Sequence, residues 1–158
     1  MSVFLQVGDA IPSFKLKDSE GEEFTDEDFI GAPLVLFFYP KDDTPGCTKE
    51  ACSFRDNLEE LDSLDVIVIG VSPDSQGSHE QFIEKHNLNF TLFADTSLEL
   101  CKAFGVIQET VKDGKSSLHL ERTTFLIDYD GTIRWIERPV SIEGHVERVI
   151  TAVKALER

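Results

Sequence analysis

Pro33 through Tyr39 is nearly unbroken apolar sequence, and Val66-Ile67-Val68-Ile69-Gly70-Val71 is a second such run. Strands covered on both faces read this way, because neither face meets water. Between them Ala51, Phe54, Leu58 and Leu61 recur at helical spacing, which predicts a helix over 47–61 and a parallel β-α-β unit. Upstream, Asp18-Ser19-Glu20-Gly21 separates Phe14–Lys17 from Glu22–Phe24 as an N-terminal β-hairpin, and Thr25 then offers a helix cap before Phe29. Downstream of the turn Ser72-Pro73-Asp74, the pattern predicts a helix over 78–86 with Phe82 and Ile83 inward. A short strand at 91–93 and a helix over 98–104, stopped by Gly105, follow. Residues 108–118 read as a polar loop. Asp130-Gly131 joins strands at 123–128 and 132–136 as a hairpin, and Val146, Val149, Ile150 and Val153 share one face of a closing helix over 143–156. No repeat or linker breaks this order, so residues 1–158 read as one α/β domain with a central mixed sheet flanked by helices.

Charge and cysteine usage narrow the function. Lys and Arg number 15 against 30 Asp and Glu, a net charge of −15 with histidine neutral, and no basic cluster offsets it. Such a field repels polyanions and argues against a nucleic-acid partner. Met1–Gln6 has neither a basic leader nor a long apolar core, and no run approaches the ~18 apolar residues of a membrane span, which predicts a cytoplasmic protein. Three cysteines, an odd number, make no disulfide framework and point to redox or metal chemistry. His79, His86, His119 and His145 are scattered, without the paired spacing of a zinc site, and no C-x-x-C is present. His119 and His145, in a loop and at a helix start, read as solvated side chains without acid-base partners.

The candidate chemistry sits where the first buried strand ends. Pro40-Lys41-Asp42-Asp43-Thr44-Pro45-Gly46 is a turn, and Cys47 follows where the helix begins. Unpaired N–H groups and the positive end of the helix dipole favour an anion there, so Cys47 should ionise more readily than a free thiol. Cys52 lies five residues on. Within an ideal helix that places the two side chains ~140° apart with Cα atoms ~8.6 Å apart, beyond the ~7 Å that a disulfide tolerates. Bonding between them therefore requires the first turns to unwind. Thr44 places a hydroxyl within reach of the thiolate, of a substrate oxygen or of a helix N–H. Pro40 closes the strand and can shield the sulfur, and Arg122 stands at the start of strand 123–128, from which a guanidinium can reach a helix N-terminus. Two buried cysteines without chemistry remain the bland alternative.

Pro40-x-x-x-Thr44-x-x-Cys47 with Arg122 resembles the signature of peroxiredoxins. The run Phe38-Tyr39-Pro40…Thr44-Pro45-Gly46-Cys47-Thr48…Glu50-Ala51-Cys52 is similar to the bacterioferritin-comigratory-protein, or Q-type, branch. The likeness extends from Val7 to the terminal helix. It implies a thioredoxin-like fold, reduction of hydrogen peroxide and organic hydroperoxides, and no metal or organic cofactor. It further implies that Cys47 is the peroxidatic cysteine, Cys52 the resolving one, and thioredoxin or a similar dithiol the reductant, with Thr44, Arg122 and Pro40 around the sulfur and Glu50 orienting Arg122. A monomer is expected, because an intramolecular cysteine pair needs no second chain. The alternative is a non-enzymatic redox-sensing or binding module on the same fold. Cys101, among apolar helical positions, reads as a small buried hydrophobe, with a back-up resolving role left open, and Trp135 as a residue packed on the sheet, with contact to a neighbouring molecule as the alternative.

Overall fold

The computed structural model describes residues 5–156, so the part of the N-terminal leader reading that rests on Met1–Phe4 lies outside the described residues. β1 (Lys15–Lys17) and β2 (Glu23–Thr25) pair antiparallel as the predicted hairpin. Thr25 N then donates to Asp28 Oδ2 at 2.7 Å and opens a 3-10 helix over Asp26–Phe29. β3 (Leu34–Phe38), α1 (Pro45–Ser63) and β4 (Ile67–Ser72) form the β-α-β unit, with the strands parallel from Leu34 opposite Ile67 to Phe38 opposite Val71. α2 (Gln76–His86) begins two residues earlier than the pattern predicts, because Ser75 accepts from Ser78 N at 3.2 Å and caps it. β5 (Thr91–Ala94) extends the parallel sheet, and α3 (Glu99–Ala103) ends before Gly105 at φ +70°.

The segment read as a loop is a second hairpin. β6 (Ile107–Lys112) and β7 (Lys115–Leu120) pair antiparallel about Asp113 and Gly114, whose φ angles of +55° and +74° suit a tight two-residue turn. β8 (Thr123–Ile127) and β9 (Ile133–Glu137) follow about Gly131, and α4 (His145–Lys154) closes the chain. The central sheet has five strands in the order β5-β4-β3-β8-β9, with β8 and β9 antiparallel to their neighbours.

Alternation along β3 assigns its two faces. Val35, Phe37 and Tyr39 join residues of α1, α2 and α4 in one apolar layer that includes Cys47, Phe54 and Val149. Leu34, Leu36 and Phe38 face the other way, with Leu16, α3, Cys101 and Phe125. Gly70 keeps the first layer tight: a Cβ there would stand 2.7 Å from both Leu92 Cδ2 and Phe37 Cζ. This mixed sheet, covered on both faces, is the thioredoxin-like arrangement that the resemblance implied. It aims the carboxyl end of β3 at the start of α1.

Candidate active site

The loop between β3 and α1 is held by a buried acid. Asp42 accepts from Tyr39 Oη at 2.6 Å and from Ser78 Oγ at 2.8 Å, and its Oδ2 lies 2.7 Å from His79 Nδ1. Its own N–H donates to Asp74 Oδ2 at 2.7 Å. His79 Nε2 donates to the Phe93 carbonyl at 2.9 Å, since that oxygen can only accept. Burial, with the adjacent Asp42 charge, pushes the Tyr39 hydroxyl well above its usual range. Sequence reasoning missed this network. Its trace was the i, i+3 spacing of His79 with Phe82, which puts the imidazole on the inward face of α2.

At the end of that loop Pro45 occupies the first helical position, and the first intrahelical bond runs from Thr48 N to Thr44 O at 2.8 Å. The N–H groups of Gly46 and Cys47 precede it, so they have no acceptor within the helix. Cys47 is 1% exposed. Arg122, just ahead of β8, donates from Nη2 to Cys47 Sγ at 3.2 Å and from Nη1 to Glu50 Oε1 at 2.7 Å. Gly46 admits the guanidinium: a Cβ there would lie 3.3 Å from Arg122 Nη2 and 3.1 Å from Ile142 Cδ1. Burial opposes the guanidinium charge, yet Glu50 and Cys47 outweigh it and hold Arg122 more firmly protonated than usual. Burial pushes the Glu50 carboxyl up to about 7, with Arg122 pulling against it.

The structure therefore places Arg122 in contact with both Cys47 and Glu50, the juxtaposition that the resemblance implied. Thr44 sits at the N-cap without capping the helix, because its Oγ1 donates to Lys41 O at 3.0 Å. That commits its proton and leaves its lone pairs to accept. Pro40 is exposed at the end of β3. Cys52 is half-buried in the second turn of α1, and both cysteines are reduced within one continuous helix. Cys101 lies in the layer on the opposite face of the sheet, where burial and then the Asp95 carboxylate push its thiol up strongly. Trp135 is half-buried against the layer that contains Cys47, as expected of a residue packed on the sheet.

His145 overturns its sequence reading. It is 1% exposed, its ring meets Phe54 edge to face at 5.4 Å, and its Nδ1 is 3.3 Å from Glu50 Oε2. α4 starts here, two residues later than predicted, because Gly144 at φ +71° turns the chain and directs the first helical side chain toward α1. Burial lowers the imidazole to about 4, so it is neutral near pH 7. His119 is exposed on β7, as expected.

A buried thiol under an arginine, at the strand-to-helix junction of such a sheet, defines a thiol-based redox enzyme. The AhpC/TSA family model matches residues 7–136. The chain is 44% identical over 150 residues to peroxiredoxin Bcp of Bacillus subtilis, covering 95% of this chain and 96% of the relative. Peroxiredoxin Q of Xanthomonas campestris superposes with a TM-score of 0.87 at 41% identity over 90% of each chain. The bacterioferritin comigratory protein of the same organism, a structure described for alkyl peroxide reduction, superposes at 0.88 and 38% identity over 93% of this chain and 98% of its own. The chain belongs to the AhpC/TSA family, within its Bcp, or Q-type, peroxiredoxins. Peroxiredoxins are thiol-dependent peroxidases.

Proposed function

We propose that Cys47 reduces hydrogen peroxide and organic hydroperoxides, that Cys52 resolves the product, and that thioredoxin or a similar dithiol recycles the pair. One observation carries this reading: Arg122 Nη2 lies 3.2 Å from Cys47 Sγ while Glu50 holds the other arm of the guanidinium. The Cys47 thiolate attacks the nearer peroxide oxygen, the O–O bond breaks, and the leaving oxygen takes up a proton. Cys47 becomes a sulfenic acid, and water or an alcohol departs. Arg122 and the free N–H groups of the first turn face the charge that develops on the oxygens. Thr44, with its proton given to Lys41 O, offers a lone pair to the hydroperoxide O–H, which selects a protonated peroxide. Pro40 borders the approach as part of the loop that Asp42 anchors.

Oxidation removes the charge on Sγ and so weakens the bond from Arg122 that pins the first turn. The turn then unwinds, the Cys52 thiolate attacks the sulfenic sulfur, and hydroxide leaves as water to give the disulfide. Both sulfurs come from one chain, in accord with a monomer; the site of action proposed is the cytoplasm, and, separately, among the described residues no helix is long and apolar enough to cross a membrane.

Peroxide-dependent NADPH consumption in the presence of thioredoxin and its reductase tests this reading. Many turnovers per molecule are expected. A single stoichiometric oxidation would instead support the sensing module. In Cys52→Ser, Cys47 should still be oxidised to sulfenic acid at the unsubstituted rate, while turnover with thioredoxin falls by at least about 10-fold, because an intramolecular resolver is replaced by a bimolecular one. Unchanged turnover in that variant would remove Cys52 from the mechanism.

A further inference from the structure

Behind Arg122, on the side away from Cys47, two titratable side chains meet. Arg122 occupies Glu50 Oε1, whereas Oε2 lies 3.3 Å from His145 Nδ1 without being aligned for a hydrogen bond, and among the described residues neither atom has another partner. The two side chains are 0% and 1% exposed, so water does not satisfy them. A carboxylate oxygen and a bare imidazole nitrogen, both acceptors, would repel at this distance, and one proton between them removes the conflict. Two arrangements supply it. Either Glu50 is protonated and Oε2–H donates to Nδ1, or Glu50 is ionised and accepts Nδ1–H. In the first, Arg122 faces a neutral carbonyl oxygen; in the second it faces a full carboxylate and a bond roughly twice as strong.

We propose that Glu50 and His145 form a proton-sharing pair, and that His145 is thereby a positioning residue that sets how firmly Glu50 holds Arg122 against Cys47. This rests on the reading of Cys47 and Arg122 as the reacting pair. The start of α4 is built to keep the pair closed: Ile142 abuts Gly46, Glu143 pairs with Lys49, and His145 follows onto Glu50. Other charges face the pair from each packed element. Arg122 stands before β8, Glu137 lies on β9, and Glu147 and Arg148 lie on α4. Arg148 is tied to Glu137 through two bonds of 2.6 and 2.8 Å, so their opposite charges partly offset at the pair, and Arg122 is the strongest outside charge on Glu50.

The pair has a distinctive linkage. Glu50, raised by burial to about 7, contributes stability that is complete below its ordinary value of 4.5 and is lost as pH rises through about 7. His145, lowered to about 4, contributes stability that is complete above its ordinary 6.5 and is lost as pH falls through about 4. Between roughly pH 4.5 and 6.5 the two slopes oppose each other. Folding there moves one proton from imidazole to carboxyl without changing the count.

Urea unfolding of the reduced protein across that range, compared with H145F and E50Q, tests the pair without any peroxide, and so stands or falls apart from the peroxidase reading. Relative to the unsubstituted protein, H145F, which keeps a ring against Phe54, should lose stability as pH rises, and E50Q should gain it. The rate of Cys47 oxidation should carry an inflection near pH 7 that moves up by about one unit in H145F, returns toward its original place in H145N, and is absent in E50Q. Should a variant fail to fold, the unsubstituted protein still decides the matter through an infrared carboxylic-acid band that persists at about pH 6, where ordinary carboxyls have ionised. Parallel stability curves for H145F and the unsubstituted protein, or no such band, would overturn the proposal.

Discussion

Cys47→Ser is expected to lower peroxidase kcat/KM by about 10⁴-fold or more, the scale of removing a nucleophile, if Cys47 is the attacking thiol as proposed. A serine hydroxyl in the same place is protonated at working pH, and it has no oxidation state equivalent to a sulfenic acid, so it can neither attack the O–O bond nor pass an oxidised sulfur to Cys52. The fold should survive, because sulfur and oxygen differ little in size and the surrounding contacts come from Ala51, Phe54 and the β3 face. Unfolding by urea should therefore show a modest change beside the loss of turnover. A variant that kept even a tenth of the activity, as about one part in ten of the original rate, would place the chemistry at another sulfur.

Arg122→Gln is expected to cost about 10²–10³ in kcat/KM, the usual effect of deleting one donor aimed at developing charge. The amide is shorter, neutral, and unable to bond Cys47 Sγ and Glu50 together. Its second effect distinguishes it from other losses of activity. Glu50 would stay buried without the cation that now opposes its burial, so its carboxyl would rise further above about 7. The stability contributed by its bound proton would then be lost over a wider span as pH rises, and the variant should weaken progressively toward alkaline pH. Stopped-flow oxidation and denaturation curves at several pH values check the two effects separately. Arg122→Lys should recover part of the charge but not the two-armed geometry.

Legibility from sequence followed how strongly each element depends on burial. β3 and β4 are covered on both faces, so their apolar runs were unambiguous, and the Asp130-Gly131 turn marked β8 and β9. The β6–β7 hairpin was missed because both of its faces are largely exposed, which removes the apolar-polar alternation. Asp113-Gly114 was its remaining signal, a turn pair that outranks composition. At the site, the juxtaposition of Cys47 and Glu50 with Arg122, and Thr44 at the start of α1, was legible because a local motif and one distant arginine supply it. His145 was not. Its burial depends on the left-handed turn at Gly144 and on α4 packing over α1, a tertiary arrangement that spacing within α4 cannot express. His79 was hidden for a similar reason, since its partners Asp42 and Phe93 come from separate loops and strands.

In the proposed cycle Cys47 takes the peroxide oxygen, and the first turns of α1 then open to let Cys52 reach it. Peptide mapping by mass spectrometry after one equivalent of peroxide tests this most directly. A Cys47–Cys52 disulfide, with Cys101 still a free thiol, is the predicted result. Cys47 left unmodified in intact protein, or joined to Cys101 from the other face of the sheet, would contradict it.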